Sequence, residues 1–311
     1  MSGTDGNTKK EKELREISIT DCPEIGRGAH GIVYRIAPDM LVKVYYPGIS
    51  LDRIKMEREL AKWAFVKGIP TAIPCDIVRV GEQYGTVFEL LDATSSVDYI
   101  GEAHENLDEF IRQSVELMKQ VHAVEAERGE LPDMKRQTMG WLEKVKGKLP
   151  DELFDRLCML VNEVPDRWTI LHADFHLKNI MVAREGLMLI DMDTLCTGDP
   201  IFELSTVYVS YRQFPSIDPM AAEILGIDVE TAAYIADRTF ELYLGETDRK
   251  TMEDTVRKAR ILGCVRIIDY MDRHRDHPAT EMCIGRCLQD LTKDLGELCG
   301  KSAGGHRETA E

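Results

Sequence analysis

The chain has 311 residues, of which 43% are hydrophobic and 30% are charged, a balance typical of folded globular proteins rather than disordered ones. Its length exceeds that of most single domains, so we expect two lobes. The formal charge of −16, from 39 basic and 55 acidic residues, argues against nucleic acid or an anionic membrane as the main partner.

The cellular compartment is predicted from the N-terminus and the cysteines. The opening residues MSGTDGNTKKEKELRE contain no apolar core of a secretory signal, and no run approaches the roughly 20 apolar residues that span a bilayer. Eight cysteines without a signal peptide indicate reduced thiols, so we expect a cytoplasmic protein that does not enter a membrane.

Four candidate zinc ligands lie near the C-terminus, but their spacing matches none of the common zinc patterns. Cys283 and Cys287 are one helical turn apart among apolar neighbours, which favours packing over metal binding. A metal role for the set is left open at this point. The four residues are His274, His277, Cys283 and Cys287.

Residues 1–14 are polar and charged and are predicted to form a flexible tail. Residues 15–91 then alternate short runs of β-branched and aromatic residues with Gly, Pro or Asp, a pattern that predicts strands. We predict an N-terminal lobe with five antiparallel strands. The predicted strands are ISITDCPEI, GIVYRIA, MLVKVYY, CDIVRVG and YGTVFELL.

One helix interrupts these strands. Ile54, Leu60, Ala61 and Ala64 recur at helical spacing, and Gly68 predicts where the helix ends.

Residues 92–300 are predicted to form a larger, mainly helical C-terminal lobe. The stretch DATSS interrupts the periodicity at its start and predicts a hinge, and residues 301–311 resemble the first tail in composition. The first long helix carries an apolar stripe that comprises Leu107, Phe110, Ile111, Val115, Met118 and Val121. Residues 169–193 differ from the rest, because short apolar runs there flank the polar sequence HADFHLKN.

The sequence IGRGAHGIVY contains Gly26, Gly28 and Gly31 in a G-x-G-x-x-G pattern, followed by Val33. A dinucleotide-binding fold would need a helix directly after it, whereas strand-like residues follow here. The pattern therefore favours a hairpin over phosphates, although a plain tight hairpin is the alternative. Glycine suits such a loop because its backbone approaches phosphates closely and adopts positive φ.

Lys43, in LVKVY, is a lone cation flanked by apolar residues, ten positions after Val33. In the following helix, Glu57 or Glu59 could pair with it and hold the ammonium against the α- and β-phosphates. The residue pattern from there to KGIP favours Glu57. The alternative is an exposed charge on an edge strand.

Three oxygen-bearing side chains lie at the ends of short apolar runs: Asp174 and Asn179 in HADFHLKN, and Asp191 in MLIDMD. They could simply satisfy the backbone of a turn. Alternatively, they could hold a metal ion and activate a hydroxyl, because Mg²⁺ prefers hard oxygen ligands.

The order of these motifs resembles the protein-kinase-like fold. More closely, HADFHLKNIMV followed by LMLIDMDTLCTGDPIFEL resembles the aminoglycoside phosphotransferase and choline kinase family, over roughly residues 25–204. The resemblance implies a bilobal α+β fold. The sequence departs from the family pattern at four positions, which leaves the substrate in doubt but removes no catalytic group: Ala173, Leu177, Lys178 and Glu203.

The resemblance also implies roles. Asp174 would orient the acceptor hydroxyl or accept its proton, and Asn179 and Asp191 would bind Mg²⁺. Asp193 would assist the metal, or only cap a turn. For the nucleotide base, the resemblance implies Phe88 as gatekeeper, Glu89 and Leu91 as backbone partners of adenine, and Val33 and Met181 on the two faces of the ring.

The implied activity is transfer of the γ-phosphate of ATP, or of GTP, to a hydroxyl of an aminoglycoside, an amino alcohol or a sugar-like molecule. An amino acceptor would be cationic, which suits an acidic protein, although solubility is the alternative reason for the acidic balance. A protein kinase is the alternative enzyme, but Asp199 lies only eight positions after Asp191, and no A-P-E triplet follows. A nucleotide-binding pseudokinase is a third class, and it would be expected to lack at least one catalytic residue.

Overall fold

The computed structural model describes residues 14–103 and 105–302. The chain separates into two compact units, which adjoin in sequence at Asp92 and Ala93. The predicted tails, residues 1–14 and 301–311, lie almost wholly outside the described residues.

The first unit is a five-stranded antiparallel sheet with the strand order β1-β2-β3-β5-β4 and one helix. Val42 and Val44 alternate with Lys43 along β3, so the two valines enter an apolar cluster on one face and the lysine lies on the other. The strands are β1 (Glu24–Arg27), β2 (Gly31–Ala37), β3 (Met40–Tyr45), β4 (Pro74–Val80) and β5 (Gln83–Glu89), and the helix is α1 (Leu51–Val66).

The first predicted strand is wrong over most of its length. Only its last two residues belong to β1, and the preceding segment makes a single parallel bridge from Glu16 to Arg79. Asp21 has a φ of 66° and Pro23 lacks an amide hydrogen, so neither residue continues a ladder.

Helix α1 begins after Ser50, whose side chain accepts a hydrogen bond from the amide of Arg53. It ends at Val66, just before Gly68 with its φ of +80°. The predicted apolar positions are buried, and Glu57 is buried with them.

The second unit is mainly helical and also contains a three-stranded sheet, β6-β8-β9, and a strand pair, β7 and β10. The strands are β6 (Ala93–Ser95), β7 (Ile170–Leu171), β8 (Ile180–Ala183), β9 (Gly186–Leu189) and β10 (Cys196–Thr197). The helices are α2 (Ser96–Glu102), α3 (Glu105–His122), α4 (Met134–Trp141), α5 (Asp151–Glu163), α6 (Ile201–Tyr208), α7 (Phe214–Ile217), α8 (Met220–Ile224), α9 (Val229–Leu244), α10 (Arg249–Arg273) and α11 (Thr280–Ser302).

Helix α10 is central to this unit and packs against α6 and α11. The contact with α6 is close at Gly263, where a Cβ atom would meet the Val209 side chain and the Ser205 carbonyl. A π-helical turn, Val209–Gln213, continues directly from α6. Within the described residues, no helix is both long and apolar enough to cross a membrane.

Candidate active site

The glycine-rich sequence forms the hairpin between β1 and β2, closed by a hydrogen bond from Gly28 N to Gly31 O of 2.9 Å. None of its three glycines has a positive φ, so the expected conformational reason for glycine is wrong here. Gly31 is required for packing instead, because a Cβ would collide with the carbonyl of Val44. Gly28 is exposed and has open space around it, so its backbone is accessible to a ligand.

Lys43 and Glu57 form an ion pair, with 2.7 Å between Nζ and Oε1, and their side chains are only 15% and 5% exposed. Glu59 pairs with Arg58 instead and is 62% exposed. Val33 lies directly opposite Lys43 across the β2–β3 ladder, so both residues share one face of the sheet. The ion pair with Glu57 of α1 therefore holds the Lys43 ammonium on the face of the sheet that packs against α1.

Three of the predicted base-binding residues lie at or just after the end of β5. Phe88 and Glu89 pair with β3, and the Glu89 amide donates to Ile73 O over 3.1 Å. Leu91 follows the strand, and its amide has no hydrogen-bond partner among the described residues. Met181 lies in β8 of the second unit and is half-buried.

The loop between β7 and β8, which contains the predicted catalytic residue Asp174, has an unusual backbone at Ala173, a buried residue with a φ of 63°. Its amide donates to Glu203 Oε1 over 3.0 Å, and the His172 amide donates to Oε2 over 2.7 Å. Glu203 is fully buried in α6 and lies 3.7 Å from Nε2 of His122. The glutamate thus fixes the start of the loop by accepting two consecutive amides.

His172 connects this loop to the end of β9. Its Nδ1 accepts from the Asp174 amide over 3.2 Å and its Nε2 donates to the Ile190 carbonyl over 3.1 Å, which assigns the ring proton to Nε2. The Ile190 amide in turn donates to Asn179 O over 2.9 Å. The imidazole thus links the loop to Ile190, and Asp191 is the next residue in the chain.

The carboxylate of Asp174 is held by side chains of its own loop. Asn179 Nδ2 donates to Asp174 Oδ2 over 3.0 Å and to the Asp174 carbonyl over 2.9 Å. His176 Nε2 lies 3.3 Å from the same Oδ2. Asp174 remains 38% exposed, so a substrate can still reach it.

Partial burial raises the pKa of Asp174, but the His176 imidazole and the Arg266 guanidinium lower it more, to well below its ordinary range. The side chain is therefore ionised at neutral pH and can accept a hydrogen bond from a hydroxyl. Such a carboxylate is a weak base, which favours orienting a hydroxyl over removing its proton early in the reaction.

Two oxygen donors suit a magnesium ion. Because the Nδ2 of Asn179 faces Asp174, its Oδ1 is the atom available to a cation. Asp191 is exposed and left-handed, with φ 62° and ψ 65°, a conformation that aspartate tolerates better than most residues. This donor set is the kind that Mg²⁺ prefers. Asp193 lies in the following 3₁₀ turn, Met192–Thr194.

The four candidate zinc ligands do not form a metal-binding cluster among the described residues. Cys283 and Cys287 are buried in α11, and no group of three or more potential ligands forms a metal cluster within the part of the chain that is described.

Sequence reasoning missed Arg266, whose Nη1 donates to the Ala173 carbonyl over 2.6 Å and whose Nη2 lies 3.9 Å from Asp174 Oδ1. It is 93 residues from the loop it contacts. The available signal was a lone cation in the otherwise apolar run ILGCVRII of α10. It also missed Tyr211, whose hydroxyl accepts from the Leu177 amide over 2.8 Å.

Residues 21–234, more than half of the chain, match the model of the family described as "Phosphotransferase enzyme family". No curated protein sequence is significantly similar to the chain.

Solved structures share the fold at low identity. A GDP and kanamycin complex of APH(2")-IIIa is 15% identical, with a TM-score of 0.58 and coverage of 90% of this chain and 95% of that one. A choline/ethanolamine kinase family protein from Mesorhizobium loti is 14% identical, with a TM-score of 0.56 and coverage of 88% and 92%. ADP-bound APH(2")-Ib is 17% identical, with a TM-score of 0.51 and coverage of 92% and 93%.

The chain belongs to the phosphotransferase enzyme family. The predicted family, the kinase-like α+β fold and the assignment as a phosphotransferase are therefore confirmed.

Proposed function

We propose that the protein transfers the γ-phosphate of ATP to a hydroxyl group of a small molecule. The observation that carries the proposal is the hydrogen-bonded pair of Asp174 and Asn179, which directs a carboxylate outward and leaves an amide oxygen for a cation. Similar folds have been solved with ATP and streptomycin, with GDP and kanamycin, and with ADP, which supports a nucleoside triphosphate as donor.

Lys43, held by Glu57, would bind the α- and β-phosphates through its ammonium, and the exposed backbone at Gly28 would lie against the phosphates. The β5 end, with Phe88, Glu89 and Leu91, would bind the base. Mg²⁺, when bound, neutralises phosphate charge, and Asn179 and Asp191 are the residues that would hold it.

In the transfer step, the acceptor oxygen forms a bond to the γ-phosphorus while the bond from that phosphorus to the β–γ bridging oxygen breaks. Asp174 orients the hydroxyl and receives its proton as the new bond forms, and solvent later removes that proton. Phosphoryl transfer requires mainly positioning and charge neutralisation, so this small set of residues is sufficient.

Radiolabel transfer tests the function. Purified protein is incubated with Mg²⁺ and γ-labelled ATP or GTP, together with aminoglycosides, choline and ethanolamine, sugars, or a protein lysate. Label on a small molecule, lost in Asp174→Asn, is the expected result. Label on lysate proteins would favour a protein kinase, and nucleotide binding without any transfer would favour a pseudokinase.

A further inference from the structure

Ala173 has a backbone conformation that alanine adopts unfavourably, because a φ of 63° brings its Cβ close to the following carbonyl oxygen. The residue is 1% exposed, so neither its amide nor its carbonyl can rely on water. Both groups are bound by charged side chains. Glu203 accepts the amide over 3.0 Å, and Arg266 Nη1 donates to the carbonyl over 2.6 Å.

Arg266 also faces the next residue. Its Nη2 lies 3.9 Å from Asp174 Oδ1, and its side chain is 24% exposed. The planar guanidinium therefore spans the carbonyl of Ala173 and the carboxylate of Asp174, a geometry that the single point of a lysine ammonium cannot reproduce. Arg266 lies beyond residue 234, where the family match ends.

We infer that Arg266 is a positioning residue for phosphoryl transfer, which holds Ala173 in its left-handed conformation and thereby fixes the direction of the Asp174 carboxylate. The inference rests on the proposed function. Glu203 and Arg266 act on opposite ends of the same residue from α6 and α10, whose close packing at Gly263 sets the distance between them.

The first test separates positioning from general stability. Arg266→Met should lower kcat about 10²-fold through misdirection of Asp174, while the KM for ATP changes little. The kcat of Arg266→Lys should lie between those of Arg266→Met and the wild type. The matched control is Arg257→Met in the same helix, because Arg257 is 14% exposed and pairs with Asp254 and Glu297, away from the loop. The control should lower Tm and leave kcat unchanged.

The second test uses Ala173→Gly, which makes the left-handed conformation accessible without strain. Alone, it should raise Tm by about 2 °C. In the Arg266→Met background, Ala173→Gly should raise Tm by less than it does in the wild type, because Ala173 no longer held by Arg266 relaxes and is not strained. The double variant should also regain part of the kcat that Arg266→Met loses.

Unchanged kcat in Arg266→Met would overturn the inference. So would equal gains in Tm from Ala173→Gly in the two backgrounds. A rise in the KM for ATP that matches the fall in kcat/KM would instead make Arg266 a nucleotide contact and also overturn it. If the wild-type protein transfers phosphate to nothing, the proposed function fails, and the Tm comparison still decides whether Arg266 holds Ala173.

Discussion

The carboxylate of Asp174 is oriented by two side chains of its own loop, Asn179 and His176, and by Arg266 from a distant helix. The Lys43–Glu57 pair, which would bind phosphates under the proposed function, belongs to the other unit. Under the proposed function, acceptor activation and phosphate binding depend on different residues, so substitutions at single residues should affect one without the other.

Asp174→Asn tests the acceptor side. The amide keeps the size of the side chain but cannot receive a proton, so kcat should fall by about 10²–10⁴-fold. Nucleotide affinity, measured by calorimetry with Mg²⁺ and ATP, should stay within a few-fold of the wild type. A variant with near-wild-type kcat would remove Asp174 from the mechanism.

Asp191→Ala tests the metal side. The substitution deletes an anionic ligand from a site of concentrated phosphate charge, so Mg²⁺-dependent ATP binding should weaken and turnover should disappear. Calorimetric titrations of wild type and variant, each with Mg²⁺ and with EDTA, measure the effect. If the wild-type protein binds ATP equally well in both conditions, the assignment is wrong.

At the scale of elements, two glycines of one hairpin differ in what surrounds them. Gly31 lies against the backbone of β3, whereas Gly28 at the turn has open space. The G-x-G-x-x-G pattern alone predicts the same role for both glycines, in a loop over phosphates.

Gly31→Ala and Gly28→Ala are therefore a matched pair. Gly31→Ala should destabilise the protein by about 1–3 kcal/mol, because the added methyl group forces β2 away from β3. Gly28→Ala should stay within about 0.5 kcal/mol of the wild type and should weaken ATP binding instead. Urea unfolding and ATP titration measure the two effects, and equal stability losses would contradict the packing argument.

Helix α6 is tied to the catalytic loop through Glu203. Burial raises the pKa of this carboxyl, but His122 and His172 and the bound amides lower it more, so it lies below the ordinary value of 4.5. A lowered pKa in the folded state means that the carboxylate stabilises the protein fully above about pH 4.5, and that this contribution is lost as the pH falls further.

Glu203→Gln should therefore cost about 1–3 kcal/mol at neutral pH, since one amide oxygen cannot accept both backbone bonds equally well. The difference between variant and wild type should narrow below pH 4.5, where the unfolded wild-type chain binds a proton at this carboxyl more readily than the folded protein does. Urea unfolding at a series of pH values provides the measurement. A constant difference across the series would show that ionised Glu203 contributes nothing.

Local patterns predicted the strands β2 to β5, helix α1 and the stripe of α3, because each depends on periodicity or on residues close in sequence. The pattern failed at β1, where Asp21 and Pro23 override β-branched neighbours. It could not give the Ala173 conformation or the Arg266 contact, since both depend on how α6 and α10 pack.

At the scale of the whole molecule, the charge of −16 gives a reason to expect a cationic acceptor. Coulomb attraction at a partly exposed site is screened by salt, with a Debye length of about 8 Å at physiological ionic strength. The acceptor KM of an aminoglycoside or amino alcohol should therefore rise severalfold between low and physiological salt. The KM for ATP should change less, because Lys43 and Glu57 are largely buried.

Steady-state kinetics at two ionic strengths measure both constants, and raised aminoglycoside tolerance of a susceptible host that expresses the protein is an independent check. A salt-insensitive acceptor KM without tolerance would favour a neutral acceptor such as a sugar.

The contact between Arg266 and Ala173 also orders events during synthesis. The two residues are 93 positions apart, so at about 5–20 residues per second a ribosome needs roughly 5–20 s to add the second after the first. Until α10 emerges, a nascent chain carries the predicted catalytic residues but lacks the arginine that binds the Ala173 carbonyl. Under the proposed function, the chain therefore acquires its motifs well before the Arg266 contact can form, and efficient phosphoryl transfer is not expected before α10 has been synthesised.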